Sequence, residues 1–172
     1  MQIDGDQSVS VIDVAESSNN SSLKITLVGE GNTLKIEGDC RITGAIFLAH
    51  GASVWIGRNV KSTGAMAFHC HEGSIVEIGD NCLFSQNVQF RPSDAHKIFD
   101  LKTNERINHP KPIGIGKGVW VGQEVLFLKG AIVPEGCVVG ARSMVTKAFD
   151  EANCILAGAP ASIVRRQIKW AP

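Results

Sequence analysis

Ile113-Gly114-Ile115-Gly116-Lys117-Gly118-Val119-Trp120-Val121-Gly122-Gln123-Glu124-Val125-Leu126-Phe127 opens a run in which every sixth residue is apolar. The series is Ile115, Val121, Phe127, Val133, Val139 and Val145. Four places after each of the first five stand Val119, Val125, Ala131, Cys137 and Ser143, all small or medium in size. No helix repeats at six, and a half-buried strand repeats at two. A six-residue period is one short strand plus a turn per side of a coil. One apolar residue per side points inward, and a small residue fits the corner. Stacked coils of this kind form a parallel β-solenoid.

Upstream the repeat lengthens. Leu34-Lys35-Ile36-Glu37-Gly38-Asp39-Cys40, Val54-Trp55-Ile56-Gly57-Arg58-Asn59-Val60 and Val76-Glu77-Ile78-Gly79-Asp80-Asn81-Cys82 align, with isoleucines 20 and 22 residues apart. Each spacing is close to one full triangular turn. Alternation before each Gly is strand-like, and the Gly-x-Asn that follows favours a turn. Ile42, Leu48, Phe68, Phe84 and Phe90 keep an approximate six-residue phase between them. Residues 1–22 are polar, with a Ser/Asn cluster at Ser17–Ser22, and read as a leading segment or an irregular first strand.

The phase breaks once. Residues 91–112 hold no inward series and carry Pro92, two Asp, two His and Pro110-Lys111-Pro112. A long excursion from a rigid scaffold is usually functional. The chain therefore divides into an N-terminal segment (1–22), N-terminal coils (23–90), a loop (91–112), C-terminal coils (113–150) and a basic, amphipathic C-terminal segment (151–172), all in one domain.

The composition agrees. Gly is high at 18 residues and charged residues are few at 20%, which suits short strands and tight turns and argues against disorder. Formal net charge is zero, so bulk attraction to nucleic acid or to an anionic membrane has no support. No apolar run is long enough to span a bilayer, and the N-terminus has no signal-peptide core, so a cytoplasmic address is expected. Cys40, Cys70, Cys82, Cys137 and Cys154 are scattered, without a CxxC pair. They read as small buried hydrophobes rather than disulfides, metal ligands or a nucleophile.

Three stretches resemble the hexapeptide-repeat acyltransferases: Ile115-Gly-x-Gly-Val-Trp120-Val-Gly122, Gly140-Ala-Arg-Ser-Met-Val-Thr146-Lys147 and Ala157-Gly-Ala-Pro160-Ala-x-Ile-Val-Arg165. The resemblance covers roughly residues 34–168. It implies an all-β fold, a left-handed parallel β-helix with one long excursion loop and a short C-terminal segment. Asp94-Ala-His96-Lys-Ile-Phe-Asp100 followed by Pro110-Lys-Pro-Ile looks most like the O-acetyltransferases that modify sugars of bacterial capsules and lipopolysaccharides. The activity implied is acetyl-CoA-dependent transfer to a sugar hydroxyl of a glycan, as in polysaccharide biosynthesis, by a homotrimer that binds CoA between adjacent β-helices. No metal is required by that chemistry.

An alcohol is a poor nucleophile until a base takes its proton, and histidine is suited to this near pH 7. Of His50, His69, His71, His96 and His109, His96 matches the family's catalytic base. Asp94 or a backbone carbonyl is expected to orient its ring. The tetrahedral oxyanion needs a donor. Trp120 matches a Trp beside the catalytic His in related enzymes, where its indole N–H donates or its ring walls the acceptor. Trp55, on what reads as the corresponding strand of an earlier coil, shows that Trp here also serves plain packing. His69 and His71 flank Cys70 on a predicted strand and, with Asp94 and His109, are candidates for the acceptor groove. His50 reads as a surface residue.

For CoA, Gly122, Gln123, Gly140 and Ala141 match positions along the pantetheine arm, where small residues permit close approach. Thr146 and Lys147 match the pair near the nucleotide end. Arg165 matches a basic residue that reaches adenine or phosphate. The chain departs from its relatives at Arg142, where Gly is frequent, and at 148–151. N-acyltransfer to an amino sugar or amino acid, and a non-catalytic β-solenoid scaffold, are the alternatives. A gamma-type carbonic anhydrase on the same fold would need a His-x4-His spacing that is absent from the sequence.

Overall fold

The computed structural model describes residues 1–5, 10–20 and 22–171. Its coils are three-sided, and like positions of successive coils stack in parallel register. The first side holds β1 (Gln2–Gly5), β3 (Leu23–Val28), the C-terminal parts of β5 (Arg41–Ala49) and β7 (Lys61–Cys70), β10 (Val88–Arg91), β13 (Leu126–Leu128) and β16 (Met144–Val145). The second side is a six-stranded sheet of β2 (Val11–Val14), β4 (Thr33–Ile36), β6 (Ser53–Ile56), β8 (Ile75–Ile78), β11 (Ile113–Ile115) and β14 (Ile132–Val133). The third side takes the start of β5 and of β7, then β9 (Leu83–Phe84), β12 (Trp120–Val121), β15 (Val138–Val139) and β17 (Ile155–Gly158). β18 (Ala161–Arg165) folds back antiparallel on β17. The parallel β-helix expected from the six-residue period is the observed fold.

Parallel register stacks side chains of the same kind. Ile25, Ile46, Phe68, Phe90, Phe127 and Val145 form one inward column on the first side, each directly above the last. Phe68 and Phe90 stack at 4.5 Å between ring centres and Phe90 and Phe127 at 5.1 Å, with Phe84 edge-on to Phe90 at 5.9 Å. All four rings are fully buried. Offset aromatic stacking adds to the area each ring removes from water.

The corner between the second and third sides also repeats. Asp39, Asn59, Asn81, Gly118, Gly136 and Asn153 all have positive φ there, and the backbone N–H of each residue from Asn59 onward bonds a carbonyl of the preceding coil. These residue types tolerate the left-handed conformation best. The next residue of each coil, Cys40, Val60, Cys82, Val119, Cys137 or Cys154, turns inward and is buried. All five cysteines are buried and unpaired. Burial pushes the Cys70 thiol up to about 12 and the Cys82 thiol up to about 11, so both behave as small hydrophobes.

The solenoid begins earlier than the expected start of regular coils at Leu23. β1 and β2, inside residues 1–22, pair in parallel with β3 and β4. The Ser/Asn cluster joins the stack through side chains: Ser18 Oγ accepts from Cys40 N–H, Ser17 Oγ from Asp39 N–H and Asn20 Oδ1 from Ile42 N–H. Polar side chains there stand in for strand backbone. Ser21 of that cluster, residues 6–9 and Pro172 lie outside the described residues. Among the described residues no helix is long and apolar enough to cross a membrane.

Candidate functional site

The excursion leaves the corner between the first and second sides. Its two limbs close on each other at the base, where Lys111 N–H donates to Pro92 O at 3.0 Å. Beyond that neck the chain forms a small antiparallel hairpin, with Phe99 bridged to Arg106, Ile107 N–H bonded to Ile98 O and Asp100 N–H to Glu105 O. Asp100 Oδ1 accepts the N–H groups of Lys102 and Thr103 and so caps the hairpin turn. Periodicity shows no strand here, because the hairpin is two residues wide and packs on no core.

The loop is pinned to the coils on both sides. Glu72, at the same corner one coil below, pairs with Arg106 at 2.6 Å and accepts from Ser93 Oγ. Lys129, one coil above, is ion-paired with Asp94. The bond from Arg106 holds the Glu72 carboxyl below its usual range. Bonds from Lys129 and then Asn108 do the same for Asp94. Asn108 crosses between the limbs, donating to Asp94 Oδ2 at 2.8 Å and to His96 O at 2.7 Å.

His96 stands exposed on this pinned loop, and among the described residues its imidazole makes no hydrogen bond. Asp94 engages Lys129 and Asn108 instead of the ring. The structure thus puts Asp94, His96 and His109 on one loop, with His109 exposed on the return limb. His69 and His71 lie below them. His69 projects from the first side in register with Phe47, and Arg91 follows at the next coil. The His71 ring packs on Phe47 at 5.0 Å. Both imidazoles are half-buried, and burial lowers both pKa values by disfavouring the charged form. His50 is exposed, as expected of it.

The remaining candidate residues fall elsewhere on the prism. Trp120 projects from the third side, away from the His96 corner. Its ring lies 6.0 Å from that of Trp170, whose indole N–H donates to Gly118 O. With Val138, Ile155, Arg165 and Ile168 the two rings line a cleft of about 430 Å³. Trp55 lies on the second side, so it is not the equivalent of Trp120 in an earlier coil. Gly122-Gln123 and Gly140-Ala141 stack at the corner between the third and first sides. A side chain at Gly122 would meet the Ala141 backbone at 2.6 Å, so only glycine fits. Arg142 adopts φ +58° at this corner, a conformation that favours glycine, and its Nε bonds Glu124 at 2.8 Å. Thr146 and Lys147 sit at the loop's own corner, and Lys147 lies over the Phe149 ring. Within one chain, then, the candidate CoA-binding residues divide between the two corners that flank the first side, with Arg165 apart from both on β18 at the third side.

A three-sided parallel solenoid with one histidine-bearing loop set out from a corner is a hexapeptide-repeat architecture. No protein-family model matches the chain. Over 138 residues it is 38% identical to the polysialic acid O-acetyltransferase of Escherichia coli O1:K1 / APEC, an alignment that takes in 80% of this chain and 44% of that protein. The crystal structure of NeuO, a polySia-specific acetyltransferase, superposes with a TM-score of 0.89 at 34% identity over 95% of this chain and 70% of that one. The polysialic acid O-acetyltransferase OatWY superposes with a TM-score of 0.80 at 29% identity over 95% and 88%. The chain belongs to the hexapeptide-repeat acyltransferase family, in the company of its sugar O-acetyltransferases. It spans less than half the length of the first of these relatives, at 44%.

Missing from the sequence-based list are Glu72, Arg106, Asn108 and Lys129. Glu72–Arg106 and Asp94–Lys129 join residues 34 and 35 positions apart, across coils, and no local pattern marks them.

Proposed function

We propose that the chain transfers an acetyl group from acetyl-CoA to a hydroxyl of a glycan, by direct transfer in a ternary complex. The observation that carries this reading is the His96 loop, pinned from two coils with an exposed imidazole that makes no hydrogen bond among the described residues, on a chain whose relatives are sugar O-acetyltransferases. His96 takes the proton of the acceptor hydroxyl as the oxygen attacks the thioester carbonyl. The C–S bond then breaks and the CoA sulfur takes the proton from the imidazolium. His69, His71, Asp94 and His109 line the acceptor side. Arg91, beside His69, gives that side a positive charge, which suits a carboxylated sugar polymer such as the polysialic acid named for two relatives. No metal is needed, and the proposed setting is cytoplasmic polysaccharide biosynthesis.

A homotrimer unites the divided site in this reading. The loop corner of one copy, with His96, Thr146 and Lys147, faces the third side of the next, with Trp120 and Arg165, and that side's corner with the first, with Gly122, Gln123, Gly140 and Ala141. Trp120 then supplies the donor for the oxyanion. The hairpin supports this arrangement, because Ile98, Phe99, Leu101 and Ile107 are all exposed and Leu101 is fully so at 100%. Four apolar side chains on one small hairpin are a contact surface rather than scattered exposure. Its proposed counterpart is the Trp120–Trp170 cleft of a neighbouring copy, where Val138, Ile155 and Ile168 stand beside Arg165, Gln167 and Lys169.

Two measurements test this. Calorimetric titration with CoA is expected to give micromolar binding at one site per chain, and heats no different from dilution would remove the donor. Leu101→Asp is expected to shift sedimentation from three chains of 18.4 kDa each toward one. An unaltered trimer in that variant would take the hairpin tip out of the interface.

A further inference from the structure

We infer that Asn108 is the positioning residue for His96, an inference that rests on His96 being the base. Asn108 is a buried polar side chain, 5% exposed, on a loop whose other residues are mostly at the surface. Its amide uses its full bonding capacity. The two hydrogens of Nδ2 go to Asp94 Oδ2 at 2.8 Å and to the backbone carbonyl of His96 at 2.7 Å. The two lone pairs of Oδ1 take Ile98 N–H at 2.6 Å and Arg106 Nε–H at 3.4 Å. The pattern fixes which end of the amide is which, since a carbonyl needs a donor and an N–H needs an acceptor.

Two of these bonds bracket His96, one at its own carbonyl and one at the amide two residues on. The other two reach groups anchored outside the loop, because Asp94 is held by Lys129 above and Arg106 by Glu72 below. Asn108 therefore ties the backbone of His96 to both neighbouring coils at once. The need for a tie is visible at Ala95, which stands immediately before His96 at φ +61°. That conformation is disfavoured for a residue with a Cβ. Ser93 Oγ, accepting from Ala95 N–H at 3.1 Å, and the Asn108 amide hold it there. Without Asn108 the segment relaxes and the imidazole leaves its place, with Asp94 and Lys129 still paired. No other side chain of this size offers two donors and two acceptors in one plane. Asp keeps the shape and loses both donors, placing a carboxylate against Asp94 and against a carbonyl oxygen.

The test compares Asn108→Ala, Asn108→Asp, His96→Ala and the double variant Asn108→Ala/His96→Ala in the full chain, with acetyl-CoA as donor and polysialic acid as acceptor. Misplacement by about 1 Å costs on the order of 10²-fold in rate. Both Asn108 variants are expected to lose about 10²-fold in kcat, with KM for acetyl-CoA and calorimetric CoA affinity unchanged. In the His96→Ala background the Asn108 change is expected to remove nothing further, since it acts through the imidazole. Asn108→Asp with wild-type kcat, a full additional loss in the double variant, or loss of CoA binding in step with kcat would each overturn the positioning role. An active His96→Ala variant, or a wild-type chain inactive on this acceptor, would overturn the functional reading beneath it, and the wild-type and His96→Ala results together tell that failure from failure of the positioning role.

Discussion

Replacing His96 with alanine is expected to lower acetyl transfer by about 10²–10⁴-fold while CoA affinity, sedimentation and unfolding midpoint stay at wild-type values. The size follows from the chemistry: a sugar hydroxyl attacks slowly until its proton is removed, and the positioned base supplies that step. The absence of a folding penalty follows from the structure. The side chain is exposed, and the loop is held by Asn108, Arg106 and Lys129 through groups that alanine leaves in place, including the His96 carbonyl. His96→Gln should behave alike, because an amide is no base. Turnover within about threefold of wild type in either variant would move the base to another residue, His109 first, since it shares the loop.

The largest effect on stability is expected at Phe90. Its ring is sandwiched between Phe68 and Phe127 with Phe84 against its edge, and it is fully buried. Phe90→Ala removes a shared partner of three rings from a stack whose backbone spacing is fixed by parallel hydrogen bonds, so the site has little room to collapse. A loss of about 3–5 kcal/mol in chemical denaturation is expected. Phe90 is one residue before Arg91, where β10 ends and the loop begins. Hydrogen exchange in residues 92–112 should therefore rise together with that of β10, β7 and β13, because one limb of the loop hangs from this ring. A loss under about 1 kcal/mol would mean that the coils close over the gap.

The fold was legible because a solenoid writes its period into the chain. Once Ile115, Val121 and Phe127 set the phase, the inward columns, the small corner residues and the buried cysteines followed. The start of the solenoid was less legible: in residues 1–22 side-chain oxygens of Ser17, Ser18 and Asn20 replace strand backbone, and they carry no apolar period. The candidate site divides in the same way. His96 was found as a motif residue on a phase break. Its supports were not, since Glu72–Arg106 and Asp94–Lys129 depend on which coils come to lie above and below the loop. Asn108 sits between Ile107 and His109 with no spacing signal, and its importance appears only when four bonds converge on one amide. The expected company of Trp120 and His96 is not realised within one chain, because six residues along the sequence carry the chain onto a new side of the prism.

The most direct test of the account is acetyl transfer itself. Purified chain is incubated with acetyl-CoA carrying a 13C-labelled acetyl group and with polysialic acid, and the polymer is recovered and read by NMR. The account predicts new labelled acetyl signals on the sugar that disappear on mild alkali, as esters do, and that are absent when His96→Ala replaces the wild-type chain. Alkali-stable label on nitrogen, or label that reaches the polymer equally well with His96→Ala, would contradict it.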